Sequence, residues 1–292
     1  MPSRPSEALQ ASVPSACNAR RQLVVGAATL VGVYLSVFGP GVVTSIRALM
    51  GLTPPPVPVA WTDRVAALEW DVFTVSVVVI VVLRRLPRHA PLVTDRMRLS
   101  RKPTRPIAGG LLGASAVYVA VAAASSWVGG SVVSTWHLAH AAYTQVGSGV
   151  GSFLVTGAAA TAAGFTEEIT LVALAAAVIE HAFAARGRDG RWAVPTAIAA
   201  MVVLRLLVHL YYLWGSVFVL IWVPGAYLVY RWAGSVWPLV IGHWCYDFLA
   251  VAAQTSPGSA RQFDAVLHAV AAVGVAVVVI TSLRVGVGRK RQ

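Results

Sequence analysis

Residues 150–184 read VGSFLVTGAAATAAGFTEEITLVALAAAVIEHAFA, an apolar run that contains two adjacent carboxylates, Glu167 and Glu168. A helix that crosses a bilayer needs about 20 apolar residues, so this run is long enough to span a membrane. At about 1.5 Å per residue it would reach about 50 Å, which predicts a tilt, a bend near Gly164 or an extension beyond the bilayer. Ionisable groups at such depth usually face the interior of a helix bundle and mark a functional site.

The composition of the whole chain is typical of a membrane protein. Of the 292 residues, 57% are hydrophobic and 12% are charged, whereas soluble domains carry about 25% charged residues. The mean hydropathy is +0.71. The net charge is +12, but no basic stripe is interleaved with aromatic residues, so we expect no nucleic-acid partner. The sequence predicts an all-α, polytopic helical bundle in the lipid bilayer.

Seven further apolar segments complete the predicted bundle, which then has about eight spans. With 150–184 as the fourth, the others are 22–44, 66–83, 107–129, 193–214, 216–231, 235–253 and 264–284. They form a single membrane domain over residues 22–285. A disordered cytoplasmic tail (1–21) precedes this domain, and a basic C-terminal tail (286–292) follows it.

The distribution of basic residues predicts that both termini are cytoplasmic. Lys and Arg concentrate in the cytoplasmic loops of membrane proteins. With the N-terminus inside, only Arg47, Arg64 and Arg261 of the 23 Lys and Arg residues fall in outer segments, and Arg205 lies within the fifth span. We therefore expect a multi-pass protein of a bacterial plasma membrane.

Two further spans carry pairs of ionisable residues at helical spacing. Arg205 and His209 lie four residues apart in the fifth span, and His243 and Asp247 lie four apart in the seventh. Residues at this spacing share one face of a helix. An arginine at this depth needs a carboxylate partner, for which the Glu pair of the fourth span is the candidate. Counted along the spans, the two histidines differ in depth by about 13 Å, a gap that tilted helices would have to close.

These groups permit two hydrolytic mechanisms. In the first, a carboxylate beside an imidazole activates water as a general base, and a second histidine with a neighbouring polar group holds the oxyanion. In the second, Glu167, His209 and His243 are the candidate ligands of a divalent metal such as zinc, whose fourth position binds water. The sequence leaves both open, together with a proton relay in a transporter.

The order of these motifs resembles that of the CPBP family, the CAAX proteases and bacteriocin-processing enzymes, also called the Abi family. An intramembrane Glu-Glu pair, a downstream His and a final His-x-x-x-Asn/Asp carry the resemblance, over about residues 150–253. It implies a bundle that commonly has eight spans. It also implies an intramembrane endopeptidase, often classed as a metalloprotease, that acts on a peptide or membrane-protein substrate.

The resemblance also implies a role for each matching position. Glu167 would activate water together with His209. His243 and Asp247 would stabilise the oxyanion, and Glu168 would be a second, more structural carboxylate.

Two positions depart from the family pattern. The first family motif reads Glu-Glu-x-x-x-Arg, but Val172 occupies the Arg position; the second reads Phe-x-x-x-His, but Arg205 occupies the Phe position. We predict that Arg205 supplies the cation that position 172 lacks and pairs with Glu168, because an uncompensated buried carboxylate tends to be neutralised. The alternatives are a catalytically inactive family member that acts as a scaffold or immunity protein, and a small-solute or proton-coupled transporter.

Overall fold

The structure is a computed structural model that describes residues 16–52, 61–99, 110–136, 150–187, 191–255 and 269. The described residues form an all-helical fold without strands. Apart from position 269, the predicted eighth span (264–284) lies outside the described residues, as do residues 1–15 of the N-terminal tail and the C-terminal tail (286–292).

Ten α-helices lie within the described residues. In chain order they are α1 (Ala16–Leu49), α2 (Trp61–Val77), α3 (Leu86–His89), α4 (Pro91–Arg96), α5 (Gly110–Thr135), α6 (Val150–Glu167), α7 (Ala175–Ala185), α8 (Ala193–His209), α9 (Val219–Ala233) and α10 (Trp237–Thr255). A π-helical stretch, Val78–Arg85, joins α2 to α3, and a second one, Glu168–Leu174, joins α6 to α7. We call the second one the π segment. Two 3-10 turns, Leu210–Tyr212 and Trp214–Phe218, connect α8 to α9.

Among the described residues, five helical segments are long and apolar enough to cross a membrane. They are Cys17–Leu49, Val65–His89, Gly110–Thr135, Phe153–Ala185 and Ser216–Ala233. Helix α8 is also apolar but has only 17 residues. The chain is therefore an integral membrane protein with an all-helical fold, and the finer count of eight crossings stays a prediction.

The long fourth run lies at the centre of the bundle. In its most apolar 18-residue stretch, 83% of the residues are buried, as expected for a helix that is hydrophobic on all sides. Helix α10 packs against α5 and α6, α8 packs against α7 and α9, and α1 contacts α7 and α8. The Glu pair is thereby enclosed by neighbouring helices.

The irregularity of this run lies at the Glu pair rather than at Gly164. The α-helical pattern continues through Gly164 and changes four residues later, where the π segment begins at Glu168. Gly164 permits close packing, because a Cβ at this position would lie 3.1 Å from the backbone nitrogen of Trp244 in α10. Single π turns inside α-helices occur frequently at functional sites.

One end of the bundle gathers basic residues around Glu180 of α7. Arg98 and Arg231 approach its carboxylate oxygens to 3.6 and 2.6 Å. The carbonyl of Leu99, next to Arg98 in the sequence, accepts a hydrogen bond of 2.9 Å from Nε1 of Trp237. The last turns of α7 and α9, the start of α10 and residues 97–99 therefore meet at one end of the molecule, which we call the basic end.

Candidate active site

The structure brings the predicted ionisable residues into one buried cluster. Glu167 ends α6, Glu168 begins the π segment, Arg205 lies on α8, and His243 and Asp247 lie on α10. The first four are 8%, 0%, 1% and 3% exposed. We call these five residues the ionic cluster.

Arg205 links the two adjacent carboxylates. Its Nε and Nη2 donate to Oε2 of Glu167 at 3.0 and 2.5 Å, and Nη2 also donates to Oε1 of Glu168 at 2.8 Å. The guanidinium lies 3.9 Å from the ring centroid of Trp222, where cation–π attraction adds to the ion pairs. The contact predicted between Arg205 and Glu168 is present, and Arg205 holds Glu167 as well.

Glu168 is the most enclosed member of the cluster. Besides the bond from Arg205, its Oε1 accepts a hydrogen bond of 2.7 Å from the hydroxyl of Tyr118 and faces Nδ1 of His243 at 2.9 Å. Its Oε2 has no hydrogen-bond partner among the described residues. Three donors converge on one oxygen of a side chain with no exposure, a geometry that fits the structural role predicted for this carboxylate.

His243 lies between two carboxylates. Its Nδ1 faces Glu168, and its Nε2 lies 3.2 Å from Oδ2 of Asp247, one turn further along α10. Both ring nitrogens can donate only when the imidazole is protonated. The arrangement therefore favours an imidazolium held between two negative charges.

His209 lies next to the cluster and packs against the ring of Trp222. Its Nδ1 lies 2.9 Å from the carbonyl oxygen of Arg205, within the same helix. Its ring centroid is 6.2 Å from that of Trp222, and the ring of His243 is 5.0 Å from the same indole. Both imidazoles thus contact one side chain of α9, so the difference in depth expected from the span boundaries does not keep them from a common neighbour.

The members of the cluster differ in how far they are enclosed. The side chains of Asp247 and Glu167 are 27% and 11% exposed, whereas those of Glu168, Arg205 and His243 are at most 3% exposed. Of the two adjacent carboxylates, Glu167 is therefore the less enclosed.

The geometry does not suit the three-ligand zinc site. Both nitrogens of His243 face carboxylates, and Oε2 of Glu167 already accepts two bonds from Arg205. Within the part of the chain that the structure describes, no group of three or more His, Cys, Asp or Glu side chains is placed to hold a metal ion. A zinc ion bound by Glu167, His209 and His243 stays a prediction, and it requires His243 to turn away from one of its carboxylate partners.

Two aromatic residues of the site were not predicted from the sequence. Tyr118 binds Glu168, and Trp222 contacts Arg205 and both imidazoles; the two aromatic residues are 0% and 4% exposed. Buried Tyr and Trp usually find a partner for their polar atom; the hydroxyl of Tyr118 does so at Glu168, whereas Nε1 of Trp222 has no hydrogen-bond partner among the described residues. Their position inside a span, away from its ends, is the signal that points to a polar centre.

Comparisons with protein-family models, with curated proteins and with solved structures find no match to this chain. The family resemblance therefore depends on the motifs alone, and the function has to be argued from the geometry of the cluster.

Proposed function

We propose that this chain is an intramembrane endopeptidase of the CPBP type, which hydrolyses a peptide bond with a water activated by Glu167 and His209. The observation that carries the proposal is the meeting of carboxylates, a guanidinium and two imidazoles around Trp222, inside a bundle that is otherwise apolar. Ionisable residues at bilayer depth are costly and mark functional sites by default.

Glu167 is the better placed general base of the pair. It is the less enclosed of the two, and the guanidinium of Arg205 stabilises its ionised form. The bond between Nδ1 of His209 and a backbone carbonyl fixes the orientation of its ring. A water positioned by these two side chains would lose its proton to Glu167 as it attacks the scissile carbonyl.

His243 is the candidate for stabilising the oxyanion. An imidazolium N–H stabilises negative charge that develops on a carbonyl oxygen, and to donate one His243 would have to release Oδ2 of Asp247, which its Nε2 faces. The carboxylate of Asp247 repels such charge, so its role is to orient His243 and to favour the imidazolium. The resemblance implies a direct role for Asp247 at the oxyanion, and the 3.2 Å contact with Nε2 favours the indirect one.

The proposed protein crosses a bacterial plasma membrane eight times and has both termini in the cytoplasm. Its substrate is a peptide or a membrane protein. The positive-inside rule supports the orientation, since Arg98 and Arg231 meet at the end of the bundle where α7 and α9 finish.

One observation favours a second candidate, a catalytically inactive scaffold or immunity protein. Arg205 donates twice to Oε2 of Glu167, and a carboxylate so engaged is a weak base. In this candidate the ionic cluster serves only to hold α6, α8 and α10 together.

Hydrolysis of a membrane-bound peptide by the purified protein in lipid vesicles separates the two candidates. For the protease, we expect Glu167→Gln and His209→Ala to lower the rate by about 10²–10⁴-fold. The control is Tyr34→Phe, which removes a hydroxyl bonded to the carbonyl of Leu204, and we expect it to keep the wild-type rate. No hydrolysis by the wild-type protein favours the scaffold, and equal rates in all variants remove these residues from the mechanism.

A further inference from the structure

We infer that three exposed arginines at the end of the second apolar segment bind the headgroup phosphate of an anionic phospholipid in the leaflet at the basic end. They are Arg84 and Arg85 of the first π-helical stretch and Arg88 of α3, and we call them the arginine face. This lipid contact attaches the bundle to its membrane and does not rest on the proposed hydrolysis.

The chain that follows this π-helical stretch is packed against the bundle by one apolar stripe. The members of the stripe recur every three or four residues and are at most 2% exposed: Leu86, Ala90, Val93 and Met97. Helix α3 contacts α1, and α4 contacts both α1 and α7. A helix that buries its apolar stripe turns its polar side away from the core. The exposed arginines next to this stripe therefore face away from the bundle.

Hydrogen bonds fix the same part of the chain to the basic end. Gln22 of α1, which is 5% exposed, accepts a hydrogen bond of 2.9 Å at Oε1 from the backbone nitrogen of Leu92, in the first turn of α4. The hydroxyl of Tyr230 on α9 donates one of 3.0 Å to the carbonyl of Arg96, the last residue of α4. The arginine face therefore keeps a defined position at this end of the bundle.

The arginine face carries positive charge that no neighbouring carboxylate compensates. Arg84 and Arg88 are four residues apart and share one face of the helix. Among the described residues, no carboxylate pairs with any of the three arginines, and the nearby Glu180 is engaged by two others. Asp95, the one carboxylate between residues 84 and 98, lies seven residues beyond Arg88. Guanidinium groups bind phosphate oxygens through paired hydrogen bonds, so a phosphate fits this face.

Tryptophan side chains locate the lipid headgroups at the basic end. Trp237 begins α10, and Trp192 precedes α8 and is 60% exposed. Tryptophan concentrates where the hydrocarbon core meets the headgroups. The arginine face lies in the last turns of the span-length segment Val65–His89. The positive-inside rule places this end in the cytoplasm, where anionic lipids attract basic side chains next to a span. The lipid phosphates and the arginine face therefore meet at one depth.

Binding of a fluorescent phosphatidylglycerol to the purified full chain in a non-ionic detergent tests the inference. The same label on phosphatidylcholine gives the reference lipid. Arg84→Gln/Arg88→Gln removes two charges from the arginine face. The control, Arg47→Gln/Arg186→Gln, removes the same charge from two exposed arginines elsewhere, one in the last turn of α1 and one directly after α7. A basic residue near an anionic lipid surface contributes about fivefold to affinity, so the first double variant should bind phosphatidylglycerol about 30-fold more weakly.

We expect the wild type and the control to bind phosphatidylglycerol equally, and more tightly than phosphatidylcholine. Added salt should weaken this preference, because exposed charges are screened. The absence of a preference in the wild type overturns the inference. An equal loss in both double variants also overturns it, because overall positive charge would then account for binding. Displacement of the labelled lipid by soluble glycerol phosphate at the same concentration assigns the arginine face to a soluble phosphate and overturns the lipid site.

Thermal unfolding in the presence of each lipid gives a second readout. A ligand that binds only the folded state raises the unfolding temperature. We expect phosphatidylglycerol to raise it for the wild type and the control and not for Arg84→Gln/Arg88→Gln. In phosphatidylcholine all three proteins should unfold at the same temperature, because the changed side chains are exposed. If that double variant does not fold, Arg85→Gln takes its place and should bind phosphatidylglycerol about fivefold more weakly; wild-type affinity in Arg85→Gln then contradicts the inference.

Discussion

Arg205 supplies a permanent positive charge to a cluster that holds three carboxylates. It is 1% exposed and contacts both Glu167 and Glu168. The position that carries Arg in the family motif is occupied by Val172, which is 1% exposed. Arg205 lies on a neighbouring helix and pairs with the same carboxylates. It can therefore supply the positive charge that the motif arginine would bring and that Val172 lacks.

Replacing this cation should destabilise the protein. We expect Arg205→Leu to lower the free energy of unfolding by about 3–5 kcal/mol, the usual effect of leaving a buried charge unpaired. Adding Val172→Arg should restore part of the loss if position 172 can supply the same charge. Thermal unfolding in mild detergent measures both variants, and a double variant no more stable than Arg205→Leu contradicts the compensation.

The two adjacent carboxylates should respond differently to neutralisation. Glu168→Gln changes the acceptor of three donors in a fully enclosed site, and hydrogen bonds to charged groups contribute about 1.5–3 kcal/mol each. We expect it to lower stability more than Glu167→Gln does, and Glu167→Gln to slow hydrolysis by about 10²–10⁴-fold while the protein still folds. Unfolding and peptide hydrolysis, measured on both variants, check this order. The reverse order of stabilities would assign the structural role to Glu167.

At the scale of helices, close approach to α10 positions His243. Two glycines of α6 face this helix at different distances. A Cβ at Gly164 would lie 3.1 Å from the backbone nitrogen of Trp244 and 3.4 Å from Cβ of His243, whereas at Gly157 the nearest atom would be a ring carbon of Phe248 at 3.5 Å. The pair offers a matched comparison on one helix.

Gly164→Ala should push α6 and α10 apart, because backbone atoms cannot move aside as a side chain can. We expect a loss of stability of about 1–3 kcal/mol, typical of overpacking, and a loss of hydrolysis because the cluster spans both helices. Gly157→Ala meets only ordinary contact and should change neither by much. Similar behaviour of the two variants in unfolding and hydrolysis assays would show that the close approach at Gly164 does not hold the site together.

The sequence predicts some of these elements and not others, for physical reasons. Apolar length identifies membrane helices, because the bilayer sets that length. The partnership of Arg205 also follows, since a buried charge requires a partner. The sequence does not predict the π segment at Glu168, because residue types carry little information about whether a backbone amide bonds to the carbonyl four or five residues earlier. Tyr118 and Trp222 were missed because an aromatic residue in an apolar helix looks like any other core residue until its neighbours on other helices are known.

At the scale of the whole molecule, charge and burial divide the bundle along its length. Arginines meet at the basic end around Glu180, and a fully buried layer separates that end from the ionic cluster. The sequence predicts the orientation through the positive-inside rule. It does not predict the buried layer, since that depends on how the helices pack.

The central claim is that the ionic cluster hydrolyses a peptide bond with water activated at Glu167. The most direct measurement uses the reconstituted protein and a membrane-anchored peptide in water enriched with heavy oxygen, and analyses the products by mass spectrometry. The account predicts new carboxyl termini that carry heavy oxygen with the wild-type protein, and none with Glu167→Gln. Intact peptide with the wild-type protein, or the same labelled termini with Glu167→Gln, would contradict it.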